Sequence, residues 1–202
     1  CGLFAGLVLA MAGAKPILIE RGSQVEKRIE KVESFLQGGH LDPECNMQFG
    51  EGGAGAFSDG KLVTSIKGRD DYVRFVLEEF YRHGAPEDIL TDQKPHVGTD
   101  VLTVVVASIR EEIKSLGGDI VFDTRLDELE TENDELRALL LICGQRHRVL
   151  PEGAEQLTDG RLRLPVSQVV LATGHSARDT YRMLLKKGIG LEPKAFAVGV
   201  RV

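Results

Sequence analysis

Four glycines fall within six residues, Gly50, Gly52, Gly53 and Gly55, flanked by Phe49 and Phe57 and running into Ser58-Asp59-Gly60-Lys61. A backbone this poor in side chains can turn its N–H groups toward an anion or a flat ring. Ser58 and Lys61 could then donate to phosphate or ring oxygen atoms. Asp59 could accept from a hydroxyl or a ring N–H. A solvated linker would have no use for two aromatic anchors, so this stretch is expected to be an ordered binding loop.

Two further segments suggest the same chemistry. Cys1-Gly2-Leu3-Phe4-Ala5-Gly6 leads into an apolar helix and then Pro16-Ile17-Leu18-Ile19-Glu20. This reads as the end of a G-x-G-x-x-G turn, its helix, a strand and a terminal acid, the pattern that seats a pyrophosphate on a helix N-terminus. Gly2 would allow close packing on a first strand, and Gly6 a close approach of helix to sheet. Glu20 is placed to accept from a ribose 2′-OH, and its charge disfavours a 2′-phosphate. The first strand and first two glycines of the motif lie outside the sequence, so the chain is expected to be a fragment. The third segment, Val170-Leu171-Ala172-Thr173-Gly174, is an apolar strand ending in Ala-Thr-Gly.

The elements needed to position these groups follow from periodicity. Helices are expected over residues 2–12, 25–35, 70–83, 99–116 and 178–187. In the fourth of these Leu102, Val105, Val106, Ile109 and Ile113 point inward. Short strands are expected at residues 17–19, 119–124, 136–142 and 169–172, the first and last as all-apolar runs buried on both faces of a parallel sheet. Residues 151–160 read as a turn-rich surface insert. The order implies one α/β domain.

A net charge of −6 argues against nucleic acid as a partner. The three cysteines, Cys1, Cys45 and Cys143, show no metal or disulfide spacing and fit a reducing, cytoplasmic setting. The apolar run at residues 2–13 is too short to span a bilayer. Cys45, without a nearby resolving cysteine, is expected to be a small packed thiol.

Together these segments resemble a family of bacterial FAD-dependent dehydrogenases related to the glutathione-reductase-like flavoproteins. The resemblance rests on residues 1–6, Glu20-Arg21-Gly22, residues 46–62, Lys94 to Asp100, Leu171 to Tyr181 and Phe196 to Arg201. Two positions depart from the family pattern: Ala56 stands in place of threonine and Cys45 in place of serine. The resemblance implies an FAD/NAD(P)-binding, Rossmann-like parallel sheet with a small β-meander, incomplete at both ends. Residues 1–190 would form the FAD-binding domain and residues 191–202 the start of an inserted substrate domain.

By the same resemblance Gly2 lies at the pyrophosphate, Glu20 at the adenosine ribose, Leu126 presents its backbone to adenine, and Arg21 is a further cofactor-binding residue. The loop of Gly50, Gly52, Gly53, Gly55, Ser58, Asp59, Gly60 and Lys61 would lie along pyrophosphate and flavin. Ala172, Thr173 and Gly174 would pass close to the cofactor. FAD is the implied cofactor, with NAD(P)H a candidate electron donor and a small molecule of unassigned identity as substrate or acceptor.

Thr99 is expected to cap the helix it begins. His96 could be structural or an acid or base near the flavin, and the segment His175-Ser176-Ala177-Arg178-Asp179 could meet the flavin or a nicotinamide or cap the last helix. His40, His83 and His147 read as surface residues. No side chain is singled out as catalytic. An NAD-dependent Rossmann enzyme and a non-catalytic nucleotide-binding module or inactive fragment remain the alternatives.

Overall fold

The computed structural model describes residues 1–58, 60–62, 68–144 and 151–195. It is a mixed α/β structure of five α-helices and two sheets. Helix α1 (Gly2–Met11) leads into strand β1 (Ile17–Ile19), and helix α2 (Val25–Leu36) follows. A long glycine-rich segment then carries one short 3-10 helix, Gly53–Phe57. Helices α3 (Asp70–Arg82) and α4 (Thr99–Ser115) come next. Strand β2 (Asp119–Val121) pairs parallel to β1, with Leu18 opposite Ile120.

The glycine at position 6 explains how α1 sits on this small sheet. A Cβ there would fall 2.6 Å from Leu18 Cδ1, so a side chain at this position would displace Leu18 of β1. The other face of α1 meets α4. Leu7, Val105, Ile109 and Ile113 are fully buried in the core these elements share, and Phe4 and Phe80 meet edge to face within its rim.

The second sheet is antiparallel: β3 (Thr124–Glu132), β4 (Glu135–Cys143), β5 (Glu155–Gln156) and β6 (Leu162–Pro165). Its strand order is β3-β4-β6-β5, so it is not the meander expected. The apolar run of β4 takes β6 as its neighbour and leaves short, polar β5 at the edge. Leu139, Leu141, Leu162 and Leu164 pack with Leu184 of helix α5 (Arg178–Lys186) to form a second core.

Several expectations need correction. The strand expected over residues 119–124 is divided. Asp123 adopts φ 50°, a left-handed turn that ends β2 and starts β3, so Leu126 lies inside a strand of the other sheet. Residues 169–172 form no strand; Val170 is 67% exposed, where burial was expected. No described strand pairs with this segment to satisfy its backbone. Ile17 is likewise exposed, because β1 is paired along one edge only.

Thr99 is the first helical residue of α4; the cap is Gly98, with no side-chain hydrogen bond. His83 is buried rather than on the surface, drawn between α3 and α4 by Ser108. His40 is exposed as expected, and His147 lies outside the described residues. Among the described residues no helix is long and apolar enough to cross a membrane.

Ile109 is the test of the first core. Ile109→Ala should destabilise the protein by about 2–5 kcal/mol through the cavity left behind. Urea unfolding measures this, and a change within about 0.5 kcal/mol would show that α4 is not the central packing element.

Candidate functional site

The carboxyl ends of β1 and β2 point the same way, and the chain leaves them as Glu20 to Ser23 and as Phe122 to Arg125. Ligands of open parallel sheets bind at this end. A cavity of about 520 Å³ lies here, lined by Arg21, Ser23, Lys31, Asp123, Arg125 and Cys143 among others.

Its wall is a chain of alternating charges. Arg21 pairs with Asp179 at the start of α5 and with Glu44, 3.5 Å away. Arg125 reaches the same two acids, at 3.0 Å to Glu44 and 3.5 Å to Asp179. Arg21 also lies over the Phe49 ring, 4.3 Å from its centre, so Phe49 is an anchor as its position in the loop suggested. Deeper in, Lys31 donates to Ser23 Oγ at 3.0 Å and to Asp42 at 2.9 Å, and Ser23 Oγ donates to Asp123 at 2.6 Å.

Burial would raise the Asp42 carboxyl, but Lys31 and the backbone N–H groups of Glu44 and Cys45 outweigh it and hold the group below its ordinary value. Asp179 is held low in the same manner, burial being outweighed by the Arg21 hydrogen bond and the charge of Arg125.

Glu20 is committed on one oxygen. Its Oε1 accepts from the backbone N–H of Gly22 at 2.9 Å and of Gly50 at 3.0 Å. It therefore draws the glycine-rich loop onto the end of β1 before any ligand is considered. The backbones touch here: a Cβ on Gly22 would lie 2.6 Å from Gly50 Cα.

Two buried charged side chains hold the rest of the loop. Arg28 of α2 is fully buried. It donates to the carbonyl oxygens of Asn46 (3.0 Å), Gly50 (3.2 Å) and Glu51 (2.6 Å). Its guanidinium lies over the Phe57 ring, 4.6 Å from the centre. Glu51 points inward, accepting from Val25 N–H at the start of α2 (2.7 Å) and from Arg110 of α4 (2.6 Å). Burial pushes the Glu51 carboxyl up despite these partners. Arg110 is shared with Glu26, which it holds below its ordinary value. Sequence reasoning missed Arg28, Glu51 and Arg110. For Arg28 and Arg110 the only trace was a charged residue on the otherwise apolar face of a helix; Glu51 showed only as an acid between the loop's glycines.

The remaining site residues divide. Gly60 packs directly against the backbone of Val97, and Lys61 pairs with His96 in an isolated antiparallel bridge, so the His96 segment is brought to the loop's end. Ser58 donates to Gly55 O at 2.8 Å and accepts from Gly60 N–H, so its hydroxyl closes the turn and its proton is not free for phosphate. Asp59 lies outside the described residues, as does the segment from Phe196 to Arg201.

Gly2 faces Ala172, whose Cβ would be 3.5 Å from an added Cβ, which joins the α1 N-terminus to the Ala172-Thr173-Gly174 segment. Ser176 Oγ links that segment to Gln48 of the loop at 3.1 Å. Within the segment from His175 to Asp179, Ala177 is the cap of α5, with no side-chain hydrogen bond. Leu126 lines a second cavity, of about 490 Å³, with Arg182 and Lys187, and Arg125 borders both. Cys45 is buried, its Sγ accepting from Ser23 N–H at 3.3 Å, as expected of a packed thiol. The cysteines form no disulfide.

No protein-family model matches the chain. It is 46% identical over 201 residues to an uncharacterized protein of Clostridium beijerinckii. That match covers all of this chain and 34% of the relative, so the chain spans about a third of the relative's length.

Two outcomes test this geometry. Gly22→Ala forces backbone against backbone and should cost about 1–3 kcal/mol in denaturant unfolding; an unchanged midpoint would mean the two turns do not touch. Asp179, with its folded pKa below the ordinary 3.8, contributes stability that is present above that value and lost as pH falls through the lower folded one. Asp179→Asn should make acid unfolding shallower below about pH 4. An identical acid limb would remove Asp179 from the network.

Proposed function

We propose that the chain is the FAD-binding part of a flavin-dependent oxidoreductase, acting on a small-molecule substrate or electron acceptor. The observation that supports this best concerns glycines the fold itself does not need. Most described glycines have positive φ or a neighbour that an added Cβ would crowd. Gly2, Gly55 and Gly190 have neither: at Gly2 the nearest atom is at ordinary contact distance, and at Gly55 and Gly190 nothing lies within 4 Å. Two of these three belong to the motifs read as cofactor-binding. Open space above a glycine without backbone strain is what a bound ring or phosphate would fill.

In this reading the helix N-terminus at Gly2 receives the pyrophosphate, where unpaired backbone N–H groups and the helix dipole favour negative charge. Glu20 keeps Oε1 for the loop and offers its other oxygen to ribose hydroxyls. The cavity at the ends of β1 and β2, with Ser23, Asp123 and Arg125, takes the adenosine half. The loop from Gly50 to Lys61, clamped by Arg28 and Glu51, lies along the remainder. Bound FAD supplies hydride or single-electron transfer. The protein's part is to bind and orient it, and NAD(P)H is a candidate donor.

The test separates fold from binding. Gly55→Ala should leave unfolding unchanged or raise stability by about 0.4–1 kcal/mol. The same change should weaken FAD binding about tenfold or more, read by quenching of flavin fluorescence on titration. The wild-type chain and its longer Clostridium beijerinckii relative should both acquire an oxidised-flavin spectrum with FAD. If neither does, the flavoprotein reading fails. If Gly55→Ala binds FAD normally, the loop is not part of the site.

A further inference from the structure

Away from this cavity, α3 and α4 bury a cluster that FAD binding does not use. Glu79 on α3 and His83, which caps its C-terminal end, stand one turn apart, and Glu112 reaches across from α4. The Glu79 and His83 side chains are 3% and 6% exposed. Glu112, at 27%, opens the cluster to solvent on one side. His83 Nε2 lies 2.7 Å from Glu112 Oε2 and 3.7 Å from Glu79 Oε2.

Neither His83 Nε2 nor Glu79 Oε2 makes a hydrogen bond, although both atoms are buried. Buried polar atoms without a hydrogen bond are costly, and here two of them lie 3.7 Å apart. Their outer sides are both held. His83 Nδ1 is 2.8 Å from Ser108 Oγ, and Glu79 Oε1 accepts from Arg82 Nη1 at 2.7 Å.

We propose that Glu79, His83 and Glu112 bind a divalent transition-metal ion of the zinc type, which ties α3 to α4. The three ligand atoms all lie within 4.8 Å of one another. Zinc bonds of about 2.0–2.2 Å would place ligand atoms about 3.4 Å apart on a tetrahedron, a spacing the two observed distances bracket.

The outer contacts favour this use. A histidine that donates Nδ1–H to Ser108 keeps its Nε2 lone pair directed into the cluster, the arrangement of metal-bound imidazoles. Arg82 orients the Glu79 carboxylate so that Oε2 points inward. Two carboxylates balance the charge of a divalent ion, and the imidazole selects zinc-type ions over calcium or magnesium. A fourth position remains for water on the Glu112 side. An imidazolium paired with both carboxylates is the competing account of the same distances, and it requires no metal.

The untagged chain, stripped with EDTA and dialysed, should be titrated with Zn²⁺ by calorimetry and with Co²⁺ by visible absorption. One equivalent should bind with a Kd of about 1 μM or tighter. The thermal midpoint should rise with Zn²⁺ and fall back with EDTA. His83→Ala should abolish the Co²⁺ bands. Glu112→Gln, a conservative change at the most exposed ligand, should weaken binding at least tenfold with the circular dichroism unchanged; it carries the test if His83→Ala does not fold. A folded protein indifferent to Zn²⁺ would overturn the proposal in favour of the imidazolium pair. Saturable binding that survives both substitutions would overturn it too, because the ion would then lie elsewhere.

Discussion

A long segment with no sheet of its own must still satisfy its backbone polar groups, and the candidate site depends on how this protein does so. Residues 38–58 carry only a short 3-10 helix. Their carbonyl oxygens and N–H groups cannot be buried unpaired. Arg28 takes three of the carbonyls, and Glu20 takes the Gly50 N–H together with that of Gly22 at the end of β1. A flexible glycine run is thereby held in one shape by two charged side chains from neighbouring elements.

This arrangement links the site to the first core. Arg28 belongs to α2, and Glu51 is gripped jointly by the start of α2 and by Arg110 of α4. Helix α4 is also the main partner of α1 in the core. The loop, the α1 N-terminus and the end of β1 are thus fixed against one another through α4, though the sequence separates them widely. Burying the Arg28 and Glu51 charges carries a desolvation cost, and multiple hydrogen bonds offset it. The gain is preorganisation, since a ligand would meet N–H groups already in place.

Much of this was legible in the chain. The 3.6-residue pattern located the helices, and Gly6 announced the close contact of α1 with Leu18. The aromatic residues Phe49 and Phe57 marked the loop as anchored, though their partners proved to be the guanidinium groups of Arg21 and Arg28 rather than apolar surface. The apolar run at residues 169–172 read as a strand and forms none, because a strand exists only where a neighbour accepts its hydrogen bonds. The cluster of Glu79, His83 and Glu112 was hidden for a related reason. Helical spacing pairs Glu79 with His83, but nothing local says that α4 brings Glu112 and Ser108 to meet them.

By itself the sequence determined where the helices form, which faces they bury, and that the glycine loop is ordered, because periodicity, turn residues and side-chain volume act over a few residues. Tertiary structure alone decided the strand partners, the left-handed break at Asp123, and the burial of Arg28, Glu51, His83 and Arg110. Those features depend on groups far apart in the chain. Whether a charge is solvated or locked into a site is settled only when distant elements close around it.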